Sequence, residues 1–182
     1  MIVSPTLLRG VYELELTTHT DERGFFARLY CEEELAEKGV DFRSTQINLS
    51  RNSRAGTLRG IHYQNPPFAE AKIVRVVQGR AYDVIVDLRP EEETYGRWIS
   101  FDLDAEKGNA VVIPEGCGHG FMTLSDDTDV LYQMGRPYVP GQAQGYRYDD
   151  QLFDIRWPRR PAVISGADLA WPRFAKVGKP QT

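Results

Sequence analysis

The segment most diagnostic of the fold runs Gly108-Asn109-Ala110-Val111-Val112-Ile113-Pro114-Glu115-Gly116-Cys117-Gly118-His119. Its centre is apolar and β-branched, which favours a short strand, and the proline and glycine that follow mark a turn leading to a histidine. An earlier segment, Gly56-Thr57-Leu58-Arg59-Gly60-Ile61-His62-Tyr63-Gln64, carries its histidine in a similar glycine-rich context. The two segments together predict a small β-barrel whose interior binds a ligand.

Period-two patterns extend outward from these segments. Lys72 to Val77 and Ala81 to Leu88 are β-branched runs separated by a tight turn at Gln78-Gly79-Arg80, and alternate residues from Tyr82 to Leu88 share one face. Further strand candidates are short, β-rich and bounded by turn residues: Trp98 to Leu103, Ala110 to Ile113, Phe121 to Leu124 and Val130 to Met134. Because short strands at regular spacing favour a sandwich or barrel, we predict a mostly β, antiparallel jelly-roll barrel.

Little helix is expected. Three glutamates open the segment Glu32 to Lys38, a lysine closes it and Gly39 supplies a stop, an order that suits the helix dipole. Beyond Pro158 the chain is rich in proline, and we expect residues 158–182 to wrap around the surface of a single domain.

Composition excludes several classes of protein. The chain has 182 residues, 26% of them charged, and a net charge of −4, so no global basic field is present to hold nucleic acid. No apolar run reaches the roughly 20 residues that span a bilayer, and the first residues carry no signal-peptide pattern. Cys31 and Cys117 do not make a disulfide scaffold, although a bridge between them stays open. We expect a cytoplasmic protein that binds neither nucleic acid nor a membrane, and the basic run Arg156 to Arg160 is interpreted as solvated surface.

The spacing of the two histidine segments resembles that of cupins, but the metal ligands are incomplete. The second histidine of the first cupin motif is replaced by Gln64, and Glu70 comes late in the sequence. Because zinc and iron sites need three or four protein ligands, we expect no metal and no cofactor. Arg59 and Lys72 are costly to bury unless they meet an anion, which suggests that a phosphate or an enolate binds near them.

Several segments match one known family when they are taken together. They are Asp21 to Phe26, Leu58 to Gln64 with the following Lys72, Pro114 to Gly116, His119 to Phe121, Leu131-Tyr132, and Asp150 ahead of Ile155 to Pro158. With these motifs the chain resembles the dTDP-4-dehydrorhamnose 3,5-epimerase family. The resemblance implies a metal-free, cupin-like homodimer that inverts carbon 3, carbon 5 or both in a nucleoside-diphosphate 4-keto-6-deoxy sugar.

The resemblance also implies roles for individual residues. His62 would be the general base with Asp150 as its partner, Lys72 would stabilise the enolate oxygen, and Tyr132 would return the proton from the opposite face. The positions that would line the substrate or diphosphate pocket are Arg59, His119, Gln46, Asn48 and Tyr138. Arg23 and Phe26 would reach the site of the neighbouring subunit, within an exchanged strand segment over about residues 1–30.

General chemistry agrees with these roles. A proton beside a ketone is acidic only when the enolate is stabilised, and a cation in a water-poor barrel can provide that stabilisation. Histidine removes protons near neutral pH, and a carboxylate can orient its ring. At positions where the family reads the nucleobase, this chain departs from the pattern with His19, Arg28 and Gln144, so the base stays open. Arg28 has a second interpretation, as a surface residue pairing with Glu22 or a neighbour.

Three other functions are alternatives to an epimerase. A 3,4-ketoisomerase could use the same base but would return the proton to a different carbon, and a non-catalytic sugar-nucleotide-binding cupin would bind without exchange. A metal-dependent oxygenase is disfavoured by the incomplete ligand set. The sequence leaves open which sugar is inverted, at which carbons, and in which pathway.

Overall fold

The computed structural model describes residues 1–175, which form strands and two short helices. The strands are β1 (Ile2–Pro5), β2 (Tyr12–Glu15), β3 (Thr18–Asp21), β4 (Gly24–Ala27), β5 (Gln46–Asn52), β6 (Thr57–Gln64), β7 (Lys72–Gln78), β8 (Arg80–Asp87), β9 (Trp98–Asp104), β10 (Ala110–Ile113), β11 (Cys117–Thr123), β12 (Thr128–Met134), β13 (Ala143–Gly145) and β14 (Val163–Ile164). The helices are α1 (Glu32–Glu37) and α2 (Gly166–Ala170).

Two sheets face each other, as predicted for a jelly roll. The first has the strand order β1-β2-β10-β7-β12-β5, and the second has the order β13-β6-β11-β8-β9. Neighbours within each path pair antiparallel, whereas β14 joins the second sheet as a parallel partner of β6. Strands β3 and β4 form a separate hairpin. The main core lies between the sheets, where buried side chains of both meet: Val74, Val76, Val111, Ile113 and Val130 from the first, and Ala81, Ile85, Leu103, Cys117 and Phe121 from the second.

The outer faces of both sheets are covered in part, which explains the nearly continuous apolar strands. Helix α1 and the loop after it place Leu35, Val40 and Phe42 over the first sheet. The segment after β13 covers the second sheet, where Val84 and Val86 pack with Phe153 and Phe174, and Tyr82 and Leu88 join the same cluster. The prediction that alternate residues from Tyr82 to Leu88 share one face is therefore confirmed.

Some element boundaries differ from the sequence prediction. Helix α1 ends at Glu37, one residue earlier than expected, and Gly39 follows in the left-handed region with φ of 79°. Strand β11 begins at Cys117, four residues before the predicted start at Phe121. The glycines of this segment suggested a turn, whereas in the structure they allow a close strand pairing. Part of the surface-wrapping segment forms β14 and α2, and residues 176–182 lie outside the described residues.

The close strand pairing joins β6 to β11 at Gly60 and Gly120. A Cβ added to Gly60 would collide with the Gly120 Cα, and Gly60 has φ of 121°, which L side chains rarely adopt. A Cβ on Gly120 would lie 2.9 Å from the Arg59 carbonyl oxygen. Because His62 and His119 are register partners on these strands, the glycines set the distance between the two histidine positions.

We expect the Gly60→Ala variant to lose more than about 2 kcal/mol of unfolding free energy, because the added methyl group meets backbone atoms and the left-handed φ is strained. The matched control is Gly166→Ala at the start of α2, where no atom lies within 4 Å of the added Cβ. That control should be neutral or slightly stabilising. Urea unfolding of both variants measures the difference, and equal stabilities would contradict the close-approach argument.

Candidate active site

A small pocket of about 110 Å³ opens at one end of the barrel beside His62. It is lined by Gln46, Asn48, His62, Tyr63, Gln64, Glu70, Met134, Arg136, Tyr138 and Ala143. Four of the predicted site residues therefore line the same pocket: His62, Gln46, Asn48 and Tyr138. Gln46 also accepts a hydrogen bond from the Tyr138 backbone N–H at 3.0 Å and donates one to Asn48 at 2.9 Å, so these three residues form a connected polar rim.

The carboxylate partner of His62 is Asp168, so the prediction of Asp150 is wrong. The His62 Nε2 atom lies 2.5 Å from the Asp168 Oδ1 atom. Asp168 is buried in α2, where its own backbone N–H donates to Ser165 and its carboxylate also accepts from the Trp171 ring N–H. Burial raises the pKa of Asp168, but the hydrogen bond and charge of His62, together with hydrogen bonds from Ser165 and Trp171, leave that pKa below its ordinary value. An ionised carboxylate only accepts, so it fixes the proton on the histidine nitrogen that faces it.

Asp150 has a structural role instead. One of its carboxylate oxygens accepts from the Leu152 backbone N–H and the other from the Phe174 backbone N–H, both at 2.8 Å. Both oxygens are thus used by the backbone of the C-terminal segment, and Asp150 is 3% exposed. Through the Phe174 N–H, Asp150 holds the segment that follows α2, the helix that carries Asp168.

A recognisable signal for Asp168 was present in the sequence. Ser165 stands three residues before Asp168, a spacing typical of a helix N-cap paired with an acidic residue. The structure has this cap, with the Ser165 hydroxyl accepting from the Asp168 N–H at 3.0 Å. The proline-rich composition of the tail hid the short helix.

Lys72 is buried beside the pocket and is paired with a carboxylate. Its ammonium donates to Glu70 at 3.1 Å, and the other Glu70 oxygen accepts from the Gln64 amide at 2.6 Å. An ammonium group has three N–H donors, so two remain for a ligand because no other acceptor for Lys72 is found among residues 1–175. The expectation of a buried cation is met by Lys72 at 6% exposure but not by Arg59, which is exposed and donates to Asn52.

Tyr132 and His119 meet inside the barrel, and neither lines the pocket described above. Tyr132 is on β12 of the first sheet and packs against the main core, whereas His62 is on β6 of the second sheet. The two residues proposed to act on opposite faces of a substrate thus come from opposite sheets. The Tyr132 and His119 rings meet edge to face, with centroids 6.0 Å apart. Burial raises the pKa of Tyr132, and the negative charge of Asp83 raises it further against the opposing effect of Arg59, so the phenol keeps its proton at neutral pH.

The residues expected to act in a neighbouring subunit lie on the β3-β4 hairpin and do not line the pocket. Arg23 forms an exposed ion pair with Asp21, and Phe26 is 75% exposed. Of the residues that depart from the family pattern, His19 pairs with Phe26 across the hairpin, and Gln144 on β13 pairs with Tyr63 on β6. Arg28 lies 3.4 Å from Glu34 rather than Glu22, which fits the interpretation of a surface ion pair.

Residues 1–175 also bear on the expectations for cysteines, metals and membranes. Cys31 and Cys117 are both free. Within residues 1–175, no three histidine, cysteine, aspartate or glutamate side chains are grouped closely enough to hold a metal ion. No helix in this range has the length and apolar character needed to cross a bilayer.

Comparisons with known proteins point to one family. The family model described as dTDP-4-dehydrorhamnose 3,5-epimerase matches residues 5–176. A dTDP-4-dehydrorhamnose 3,5-epimerase of Salmonella typhimurium is 39% identical over 94% of this chain and 94% of that protein. A dTDP-4-dehydrorhamnose 3-epimerase of Streptomyces niveus is 37% identical over 92% of this chain and 81% of that protein.

The fold agrees with a solved structure of the same kind. The crystal structure of dTDP-4-dehydrorhamnose 3,5-epimerase from Bacillus anthracis, with TDP and PPi bound, superposes with a TM-score of 0.92. The sequences are 35% identical, and the match covers 95% of this chain and 99% of that one. The cupin-like jelly roll is thereby confirmed. The family model, the relatives and the shared fold together show that the chain belongs to the dTDP-4-dehydrorhamnose 3,5-epimerase family.

Proposed function

We propose that this protein is an epimerase acting on a nucleoside-diphosphate 4-keto-6-deoxy sugar, with thymidine diphosphate as the first nucleotide to test. It inverts carbon 3, carbon 5 or both. The observation that carries the proposal is the His62–Asp168 hydrogen bond in a polar pocket, with the buried Lys72 ammonium nearby. Relatives named as 3,5-epimerases and as a 3-epimerase support the reaction class and leave the number of inverted centres to experiment.

Proton removal is assigned to His62. The ring nitrogen that does not face Asp168 carries the free lone pair and takes the proton from the carbon beside the ketone. The C–H electron pair moves into a new carbon–carbon double bond, and the carbonyl electrons move onto oxygen, giving an enolate. Asp168 stabilises the imidazolium that forms, because its charge lies 2.5 Å from the other nitrogen.

Enolate stabilisation and proton return are assigned to Lys72 and Tyr132. The two Lys72 donors not used by Glu70 can bind the enolate oxygen, and burial strengthens that interaction. Tyr132, on the opposite sheet and holding its proton at neutral pH, protonates the same carbon from the other face. The ketone re-forms with inverted configuration, and the proton on His62 passes through solvent to the tyrosinate.

The proposal includes a homodimer. On β5, Gln46 and Asn48 line the pocket, so the alternate residues Ile47 and Leu49 face the other side of the first sheet, where they are exposed. Val77 on β7 and the phenylalanines of the β3-β4 hairpin are exposed as well. Several large exposed apolar side chains on one molecule are typical of a protein interface, and we propose that a second copy covers them and that Arg23 and Phe26 reach the pocket of that copy.

Two further parts of the proposal concern the setting of the reaction. Proton transfer through His62, Lys72 and Tyr132 requires no metal, so activity should persist after dialysis against a chelator.

The free cysteines of the described chain suit a reducing compartment, and we place the enzyme in the cytoplasm, with neither nucleic acid nor membrane as a partner.

Deuterium wash-in tests the function directly. In heavy water, the wild type should incorporate one deuterium at each inverted carbon of a dTDP-linked 4-keto-6-deoxy sugar, and His62→Ala should abolish incorporation. Tyr132→Phe should still exchange the proton at the carbon while inversion falls. Absence of exchange with thymidine, uridine, cytidine and guanosine diphosphate sugars alike would end the proposal. A product whose keto group has moved to carbon 3 would instead indicate a ketoisomerase.

Asp168→Asn should lower the exchange rate by at least about 100-fold, because the amide no longer stabilises the imidazolium. The matched control is Asp150→Asn, which removes one of two backbone acceptors and leaves a buried N–H unpaired. The control should lose about 1–3 kcal/mol of stability while the exchange rate per folded enzyme is retained. Exchange kinetics and thermal unfolding separate the two effects, and the reverse pattern would restore Asp150 as the partner.

Leu49→Asp should convert the dimer to monomer, because it places a charge on the exposed apolar face of β5. The control is Val163→Asp on β14 of the second sheet, which also adds a negative charge at an exposed apolar residue. Because Val163 belongs to the other sheet, this variant should leave the dimer intact. Light scattering after size-exclusion chromatography gives both masses. A monomeric wild type, or a dimeric Leu49→Asp variant, would contradict this interface.

A further inference from the structure

Asp83 is a fully buried carboxylate inside the barrel that has only one partner. It lies on β8 with its side chain 0% exposed, and one of its oxygens is 2.7 Å from the His119 Nε2 atom. Its second oxygen, Oδ1, is buried and makes no hydrogen bond within the described residues. Leaving one oxygen of a buried carboxylate without a hydrogen bond costs stability. A group of this kind therefore calls for an explanation other than its contribution to folding.

The position of Asp83 connects it to the proton donor. The His119 ring, which Asp83 holds on one edge, packs edge to face against Tyr132 at 6.0 Å. His119 is 5% exposed and is also stacked near Phe121, with centroids 6.4 Å apart. Its ring is therefore confined on two sides and fixed on a third by the carboxylate. The charge of Asp83 acts on Tyr132 as well, because it favours the protonated phenol.

We propose that Asp83 is a positioning residue for proton return: it fixes the ring of His119, and through that ring it sets the place of the Tyr132 hydroxyl. This inference rests on the proposed epimerase function. Within the described residues Asp83 pairs with His119 and does not line the pocket around His62, so proton removal and proton return are tuned by two separate histidine–aspartate pairs. The His62–Asp168 pair controls the first step, and the His119–Asp83 pair controls the second.

Because the two pairs act on different steps, the ratio of exchange to inversion distinguishes a loss of positioning from a general loss of stability. In heavy water, exchange without inversion reports proton removal by His62, whereas inversion also needs Tyr132. Asp83→Asn keeps the shape of the side chain but replaces an acceptor-only group, so the His119 ring loses its fixed tautomer. Inversion should fall about 10- to 100-fold while exchange falls less than about 3-fold, and the ratio of exchange to inversion should rise accordingly.

Asp87→Asn is the matched control on the same strand. Asp87 is also 0% exposed in its side chain, but it pairs with Arg89 and Thr94 rather than with a histidine. Its loss should lower the melting temperature and reduce exchange and inversion by the same factor, leaving their ratio unchanged. An unchanged ratio in Asp83→Asn, with the wild type active, would overturn the inference while leaving the epimerase proposal intact.

A second measurement does not depend on the variant folding or on activity. In the wild type, ¹⁵N NMR of the His119 ring should show a single form with a proton on the nitrogen that faces Asp83. A rapidly averaging mixture of tautomers would overturn the inference even if Asp83→Asn proved insoluble. If the wild type showed the fixed ring but no exchange with any nucleotide sugar, the proposed function would fail rather than the positioning of His119.

Discussion

The close contact between β6 and β11 is the constraint on which the site depends. Gly60 and Gly120 let the two backbones approach to a distance that no side chain would allow, and His62 and His119 are register partners on these strands. Each histidine then meets its own aspartate, Asp168 from α2 and Asp83 from β8. The geometry of both pairs follows from one strand pairing, so glycines that contribute no chemistry decide where the chemistry takes place.

Several interior strands were predicted from the sequence, whereas β5, β6 and the N-terminal strands were not. Strands β7, β8 and β10 are apolar on both faces because sheets, helix and tail cover them, and such runs stand out as β-branched segments. The β3-β4 hairpin is exposed at almost every position, so it offers no alternation of buried and exposed residues to detect. Strand β11 was shortened in the prediction because its glycines suggested a turn, and only the position of β6 shows why they are needed.

Site residues were predicted correctly where they lie within local motifs. The prediction failed where the site depends on a contact between segments far apart in the sequence. His62, Gln46, Asn48 and Tyr138 were identified through family resemblance, and the structure gathers them at one pocket. The partner of His62 lies 106 residues further along the chain, and no spacing rule connects two such positions. Asp150 was chosen because it lies within the recognisable motifs, although backbone N–H groups already use both of its oxygens. Glu70 was noted only as a late metal ligand, whereas its role is to pair with Lys72.

The source of Asp168 has a consequence for biosynthesis. The barrel strands that hold His62, Lys72 and Tyr132 all precede residue 135, whereas the carboxylate that orients the base arrives on a helix at Gly166–Ala170. During synthesis from the N-terminus, the strands that carry these three residues therefore emerge before the carboxylate that pairs with His62. A chain that has not yet reached residue 166 carries His62, Lys72 and Tyr132 but lacks that carboxylate.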